Sequence, residues 1–304
     1  MPSAPSTLSI LPAPIPTWFG VGGHAERLAH AASADDVRQC LELDPRARIL
    51  GDGANLLVDD DGVPELVIAT AHMARVEFHA PDTCLAQAGA DLPKLIHECV
   101  RRGLAGLEGL TGIPATVGGA VIMNAGGAFG QIADAVHRVH ALSRDGRPRT
   151  IDRADIAFDY RHSGLAPLVV TAVEFRLSPG DPEALRAKVK DVMAYKKTSQ
   201  PLAARSAGCC FKNPTLPHDL RDGAGDIGQA GRRVSAGLLI DRAGLKGLRL
   251  RGAEVSTRHA NFLTPLPGGA ARDVIDLMAE VERRVFDTFG VRLEREVVVW
   301  SRHA

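Results

Sequence analysis

Residues 205–214 read RSAGCCFKNP. Two adjacent cysteines behind a small-residue turn could bind a metal, form a disulfide, act in catalysis or simply pack. The chain has five cysteines (Cys40, Cys84, Cys99, Cys209 and Cys210), with no C-x-x-C pair and no zinc-like spacing. An odd count argues against a disulfide framework, and a bridge between neighbouring cysteines needs a strained backbone. Metal and disulfide are therefore poor answers. If the segment is extended, Cys209 and Cys210 face opposite ways, and one of them is left to packing.

Two other short runs carry groups suited to chemistry. FDYRHSG, residues 158–164, holds Tyr160 and Arg161. LEREV, residues 293–297, holds Glu294 and Glu296, which strand alternation places on one side. Taken alone, the arginine reads as a surface ion pair and the glutamates as a solvated edge.

Glycine marks two further segments. ARILGDGANLLVDDDG sets Gly51 and Gly53 between apolar runs. NLLV runs at once into DDDG, too short for the helix of a dinucleotide-binding fingerprint. The geometry is strand, tight turn, strand, either a plain hairpin or a turn presenting bare amides to a phosphate. GLEGLTGIPATVGGAVIMNAGGAFG, residues 106–130, interleaves glycines with Ile113, Pro114, Val117 and Val121. Such glycines mark close backbone approach, either to a flat or anionic ligand or to another part of the chain.

Four helices must frame these segments. Ser33 caps SADDVRQCLEL, and Asp91 opens DLPKLIHECVRRG with an apolar face of Leu95, Ile96, Cys99 and Val100. Asp181 caps DPEALRAKVKDVMAYKK, and ARDVIDLMAEVERRVFDTF stops at Gly290. ARIL, NLLV, ELVIA, LVVTAVEFRL and REVVVW read as strands. Without regular alternation of strand and helix the class is α+β. Hydrophobic residues make up 45% of the 304, and 36 Lys plus Arg balance 36 Asp plus Glu. That balance excludes a general nucleic-acid binder. No apolar run spans a bilayer, and the Pro- and Ser-rich N-terminus lacks a signal-peptide pattern. The expected location is the cytoplasm.

The run GLEGLTGIPATVGGAVIMNAGG closely resembles the flavin-binding core of the UDP-N-acetylenolpyruvoylglucosamine reductases. Further blocks follow in family order: TWFGVGGHAE, LGDGANLLV, FDYRHSG, SAGCCFKNP, AGLLIDRAGLKG, GAEVSTRHANFL and LEREV. The resemblance covers nearly the whole chain beyond the N-terminal tail and is closer to the family's shorter second subtype. It implies a vanillyl-alcohol-oxidase/PCMH-like FAD-binding fold of two lobes with a C-terminal α+β substrate domain. The expected division is a flexible tail at 1–16, an FAD domain at 17–200 (lobes 17–75 and 76–200) and a UDP-sugar domain at 201–304.

The implied cofactors are FAD and NADPH, and the implied reaction reduces UDP-N-acetylglucosamine enolpyruvate to UDP-N-acetylmuramate for peptidoglycan. Hydride from reduced flavin reaches the enolpyruvyl methylene, and a proton must arrive at the carbon beside the carboxylate. Cys209 falls where the family places its proton donor, more commonly a serine. A thiol is mostly protonated at neutral pH yet can release its proton. Arg161 matches the arginine that steadies the enolate, a task suited to a permanently charged, two-pronged guanidinium. Glu296 matches the glutamate that assists protonation. Cofactor contacts are expected from Gly51, Gly53, Ala54, Asn55, Leu56, Ile113, Pro114, Gly118, Gly119, Asn124 and Gly126. Substrate contacts are expected from Tyr160, Lys212, Asn213 and Lys246, in a region where residues 201–260 hold ten Lys or Arg against five acids.

The sequence departs from the family pattern at Arg295 (usually Pro), Arg251 (frequently Gly), Leu238 (often Trp) and the lengthened NAGGAFG. A small-molecule substrate and a monomer are expected, with no metal, nucleic acid or membrane partner. Rival readings are an FAD oxidase of the same fold, with His24 as an imaginable flavin anchor, and a non-catalytic nucleotide-sugar or flavin sensor.

Overall fold

The computed structural model describes residues 8–79, 81–201 and 203–302. Its first strands are β1 (Ile10–Pro14), β2 (His24–His30), β3 (Arg48–Leu50), β4 (Leu56–Val58) and β5 (Val63–Ala69). Four of them form a sheet in the order β1-β2-β5-β3, with β3 parallel to β5. Helix α1 (Ala34–Leu43) starts with a reciprocal cap: Asp36 N donates to Ser33 Oγ at 3.1 Å, and Ser33 N donates to Asp36 Oδ2 at 3.0 Å. It buries Val37, Cys40 and Leu41 in a core with Leu66, Ile68 and Met73.

A second, five-stranded sheet follows. It contains β6 (Val76–His79), β7 (Thr83–Gln87), β8 (Val136–Leu142), β9 (Pro148–Asp152) and β10 (Val169–Arg176), in the order β9-β8-β10-β7-β6. Neighbouring strands in it are antiparallel. Its core includes α2 (Leu92–Arg101) and the short α3 (Val117–Ile122). Asp91 Oδ1 accepts from Lys94 N at 2.7 Å and fixes the start of α2. The long α4 (Pro182–Ser199) adds Leu185 to the same core.

A third core is built by α5 (Ala236–Arg242), α6 (Ala271–Phe289) and the strands β11 (Arg249–Leu250), β12 (Ala253–Val255) and β13 (Leu263–Pro265). The apolar stripe of α6, Val274, Leu277, Met278, Val281 and Val285, is fully buried there. Burying a side chain of this size contributes about 1.5–3 kcal/mol. Gly290, at φ 67°, ends α6 in the left-handed conformation that glycine adopts without steric cost. The last strand, β14 (Val298–Trp300), pairs in parallel with β4. No helix among the described residues is long and apolar enough to cross a membrane.

The chain divides into two compact units: residues 8–13, 25–52 and 64–196, and residues 14–24, 53–63 and 197–302. Three expectations need correction. Of the tail expected to be flexible at 1–16, Ile10–Pro14 is an edge strand; residues 1–7 lie outside the described residues. The plain hairpin at 48–58 does not form, because β3 finds its parallel partner in β5 and β4 finds its own in β14. Residues 17–24 and 53–63 belong with the C-terminal unit, since Phe19 and Leu57 are fully buried in its core.

Candidate active site

Gly208 has φ 80° and delivers the chain to Cys209. Residues 210–212 are then gripped on two sides. On one, Asn261 O accepts from Cys210 N at 2.8 Å, Asn261 Oδ1 accepts from Phe211 N at 2.9 Å, and Asn261 Nδ2 donates to Phe211 O at 2.8 Å. On the other, Lys212 N donates to Glu294 O at 2.8 Å, while Glu296 N and Val297 N both reach Cys210 O, at 2.8 and 3.4 Å. Two amides on one carbonyl are the mark of a bulge, a device that re-aims side chains. Cys210 and Phe211 are fully buried, whereas Cys209 is half-buried. Burial pushes the Cys210 thiol up to about 12.

Glu294 and Glu296, expected on one side of a strand, instead lie in the irregular segment before β14, which meets residues 210–212 through the isolated bridge of Phe211 with Arg295. Glu294 forms an ion pair with Lys212 at 2.5 Å. The carbonyl of Glu296 accepts from Asn55 Nδ2 at 2.9 Å, and Val298 N donates to Asn55 O at 3.0 Å. Arg295 stands opposite Phe211, but its neighbours make the cross-strand hydrogen bonds. A proline there would break none of those bonds. The Arg295 guanidinium instead binds both carboxylate oxygens of Glu282, at 2.6 and 3.1 Å.

Arg161 belongs to the other unit. It occupies the third position of a turn closed by Asp159 N to His162 O at 2.9 Å and His162 N to Asp159 O at 3.1 Å. Its φ is 54°, where glycine or asparagine is usual, at a cost of about 1–2 kcal/mol for a side chain. The guanidinium carbon lies 5.2 Å from the centre of the Tyr160 ring. Both flanks of the turn are anchored: Asn124 Nδ2 donates to Asp159 O at 2.8 Å, and Ser163 Oγ donates to Ile122 O at 2.8 Å.

The two glycine segments contribute to the first unit at different places. A methyl group on Gly51 would lie 2.5 Å from Thr116 Oγ1, so the loop before β4 abuts the start of α3. Gly118 packs on Ala88 and donates its amide to Ala88 O at 2.8 Å, and Gly126 packs on Gln131. These two glycines serve close approach within the chain. Gly119 differs: it is exposed, and its added methyl would meet only Thr116 Oγ1, at 3.3 Å. With Ile113 and Pro114 half-buried beside it in sequence, this bare ledge suits a flat, partly apolar cofactor such as FAD. Asn124 does not: it is 2% exposed, and its carboxamide is engaged by Gln131, Asp159 and Ala133. Gly53, Ala54, Asn55 and Leu56 belong to the second unit, and the Leu56 side chain is buried.

Three of the expected substrate contacts have internal partners. Lys212 holds Glu294, Lys246 holds Asp241 at 2.7 Å, and Asn213 Oδ1 accepts from Ala236 N at 3.0 Å at the start of α5. The local basic excess is also partly paired, through Arg242 with Asp222 and Arg249 with Glu254. Arg251 has φ 49°, in the left-handed region that glycine enters without steric cost. Leu238 is exposed on α5, and the lengthened NAGGAFG closes as a hairpin pairing Gly126–Gly127 with Gly130–Gln131.

Two residues escaped the sequence reading. Asn261 lies in GAEVSTRHANFL, but its grip on Phe211 leaves no periodic signature. Lys196 lies against Gly112, and desolvation pushes its ammonium down to about 8. The only sequence signal for it was a lysine pair near the end of α4.

Residues 25–152 match the FAD-binding domain family, and residues 200–300 match the C-terminal domain of UDP-N-acetylenolpyruvoylglucosamine reductase. With the glycine ledge in the first unit and the thiol and carboxylate segments in the second, the class is an FAD-dependent oxidoreductase. The chain is 38% identical to the UDP-N-acetylenolpyruvoylglucosamine reductase of Syntrophobacter fumaroxidans, covering 94% of this chain and 81% of that one. It is 39% identical to that of Moorella thermoacetica, covering 94% and 90%. The crystal structure of the Thermus caldophilus enzyme superposes with a TM-score of 0.80 at 37% identity, over 96% of this chain and 99% of that one. The chain belongs to the UDP-N-acetylenolpyruvoylglucosamine reductase family, flavoenzymes of peptidoglycan synthesis that use FAD and NADPH.

Proposed function

We propose that this chain reduces UDP-N-acetylglucosamine enolpyruvate with Cys209 as proton donor, Arg161 as enolate stabiliser and Glu296 as its assistant. When bound, FAD carries hydride from NADPH to the terminal methylene of the enolpyruvyl group. That carbon becomes a methyl, and the electron pair of the double bond passes to the carbon beside the carboxylate. The Arg161 guanidinium meets this charge with parallel N–H donors and stays charged throughout. The Cys209 S–H bond breaks as the new C–H bond forms, and the thiolate regains its proton from solvent. Glu296, as its acid, would hydrogen-bond the substrate carboxylate beside it.

In the first unit, Gly51, Ile113, Pro114 and Gly119 are the candidates to hold FAD. Lys212 and Lys246 already hold carboxylates, so each can exchange that partner for a substrate phosphate at small cost. Tyr160 and Asn213 complete the candidate substrate set. The observation that carries the reading is the pairing of the Cys209 segment with the Glu296 segment through Glu296 N and Cys210 O, at 2.8 Å. It supports one acid and one carboxylate working side by side.

The test is the visible spectrum of the anaerobic holoenzyme. NADPH should bleach the flavin band, and the enolpyruvyl UDP-sugar should restore it. Bleaching without recovery would discard this substrate.

A further inference from the structure

We propose that Asn124 is a positioning residue for Arg161 and not a contact to the cofactor. The inference rests on the reading of Arg161 as enolate stabiliser. Asn124 is 2% exposed. Its two N–H donors go to Gln131 Oε1 at 3.0 Å and Asp159 O at 2.8 Å, and its Oδ1 accepts from Ala133 N at 3.4 Å. A primary carboxamide has two donors, so none remains for a ligand.

The backbone carries the argument further. Among the described residues, three non-glycine residues have positive φ: Asn124 at 42°, Arg161 at 54° and Arg251 at 49°. Two of the three are joined through Asp159, whose carbonyl accepts from Asn124 and which closes the turn carrying Arg161. A left-handed arginine persists only where its surroundings over-determine it. Here the segment 122–124 supplies both restraints, through Asn124 on one flank and through Ile122 O, which accepts from Ser163 Oγ, on the other. Asn124 is itself braced, since Gln131 Nε2 donates to Asp134 Oδ1 at 3.2 Å. Without the carboxamide, the Asp159 carbonyl loses its brace and Arg161 can relax to negative φ. Its guanidinium then moves off the carboxylate it must meet. A misplacement of about 1 Å costs on the order of 100-fold in rate.

The experiment uses Asn124→Gly, which keeps the left-handed backbone and removes only the side chain. Four quantities are read on the holoenzyme: FAD affinity by fluorescence titration, flavin bleaching by NADPH, band recovery with the UDP-sugar, and that recovery in an Arg161→Ala background. The expected result is FAD affinity and bleaching within about twofold, with recovery slowed on the order of 100-fold. In the Arg161→Ala background, Asn124→Gly should add less than about threefold, because both act through one guanidinium. Ser163→Ala is the second variant, with a smaller loss and the same non-additivity. Additive losses, or lost FAD affinity with recovery intact, would overturn the proposal. Full recovery in Arg161→Ala alone would instead overturn the role given to Arg161.

Discussion

Asn55 Nδ2 donates to the main-chain carbonyl of Glu296 across 2.9 Å, joining the loop before β4 to the segment that carries the candidate carboxylate and leads into β14. A residue expected at the cofactor thus holds the backbone of the candidate carboxylate. Asn55→Ala should cost about 1 kcal/mol of stability, the usual net worth of one such bond. It should also lower kcat about tenfold if the Glu296 segment shifts by a fraction of an ångström. Asn55→Asp should be worse, because it sets a carboxylate oxygen against the Glu296 carbonyl. Denaturant titration and steady-state kinetics would check both, and unchanged values in Asn55→Ala would show that the bond carries neither function.

The adjacent cysteines should separate cleanly by reactivity. Cys210 is fully buried with its thiol pushed up to about 12, whereas Cys209 is half-buried. Iodoacetamide at pH 8 should therefore alkylate Cys209 well before Cys210, as read by peptide mass spectrometry. Cys209→Ala should lose on the order of 100- to 10,000-fold in kcat, the range for a general acid, and Cys209→Ser should recover part of it. Cys210→Ser should cost about 1 kcal/mol of stability, because its hydroxyl can still accept from the Leu263 amide that faces the thiol. Faster labelling of Cys210 would reverse the assignment of acid and filler.

What the sequence disclosed follows the range of the forces involved. Helices α1, α2, α4 and α6 were legible because caps and apolar stripes are local signals. Helix α3 was not, since VGGAVI has poor helix propensity and is held by the Thr116 cap and by Val117 N and Gly118 N on the carbonyls of Ala90 and Ala88. The N-terminal ILPAP read as a tail because proline disrupts strands, yet on the edge of a sheet it is tolerated. β4 and β14 find each other across most of the chain, beyond any pattern of neighbours. The site shows the same division. The motifs named Arg161, Cys209 and Glu296, but the carboxamides of Asn55, Asn124 and Asn261 act by satisfying distant backbone groups. Such roles leave no spacing to read.

Gly208 offers a test of how finely Cys209 must be aimed. Its φ is 80°, and an added methyl would find nothing within 4 Å. Gly208→Ala therefore meets no clash and introduces backbone strain alone, about 1–2 kcal/mol. Relief of that strain should rotate the chain just before the thiol. The expected outcome is a fall in kcat of about tenfold with KM for NADPH unchanged. A variant that is less stable but equally fast would show that the thiol tolerates misalignment.

Lys196 makes a prediction with a definite pH window. Desolvation lowers its ammonium from 10.5 to about 8, so the folded protein favours the neutral amine. Between about pH 8 and pH 10.4 the unfolded chain binds more protons than the folded one, and stability rises with pH across that window. The contribution is fully present above the unfolded value and is lost as pH falls through the folded one. At pH 7 the wild type therefore bears the whole cost of a half-buried charge. Lys196→Met should be more stable than wild type at pH 7, by about 1–2 kcal/mol after allowing for solvent screening. The gap should close towards pH 10.5. Paired thermal melts of the two proteins at pH 7 and pH 10 would check this, and an equal difference at both would show that the ammonium keeps its water.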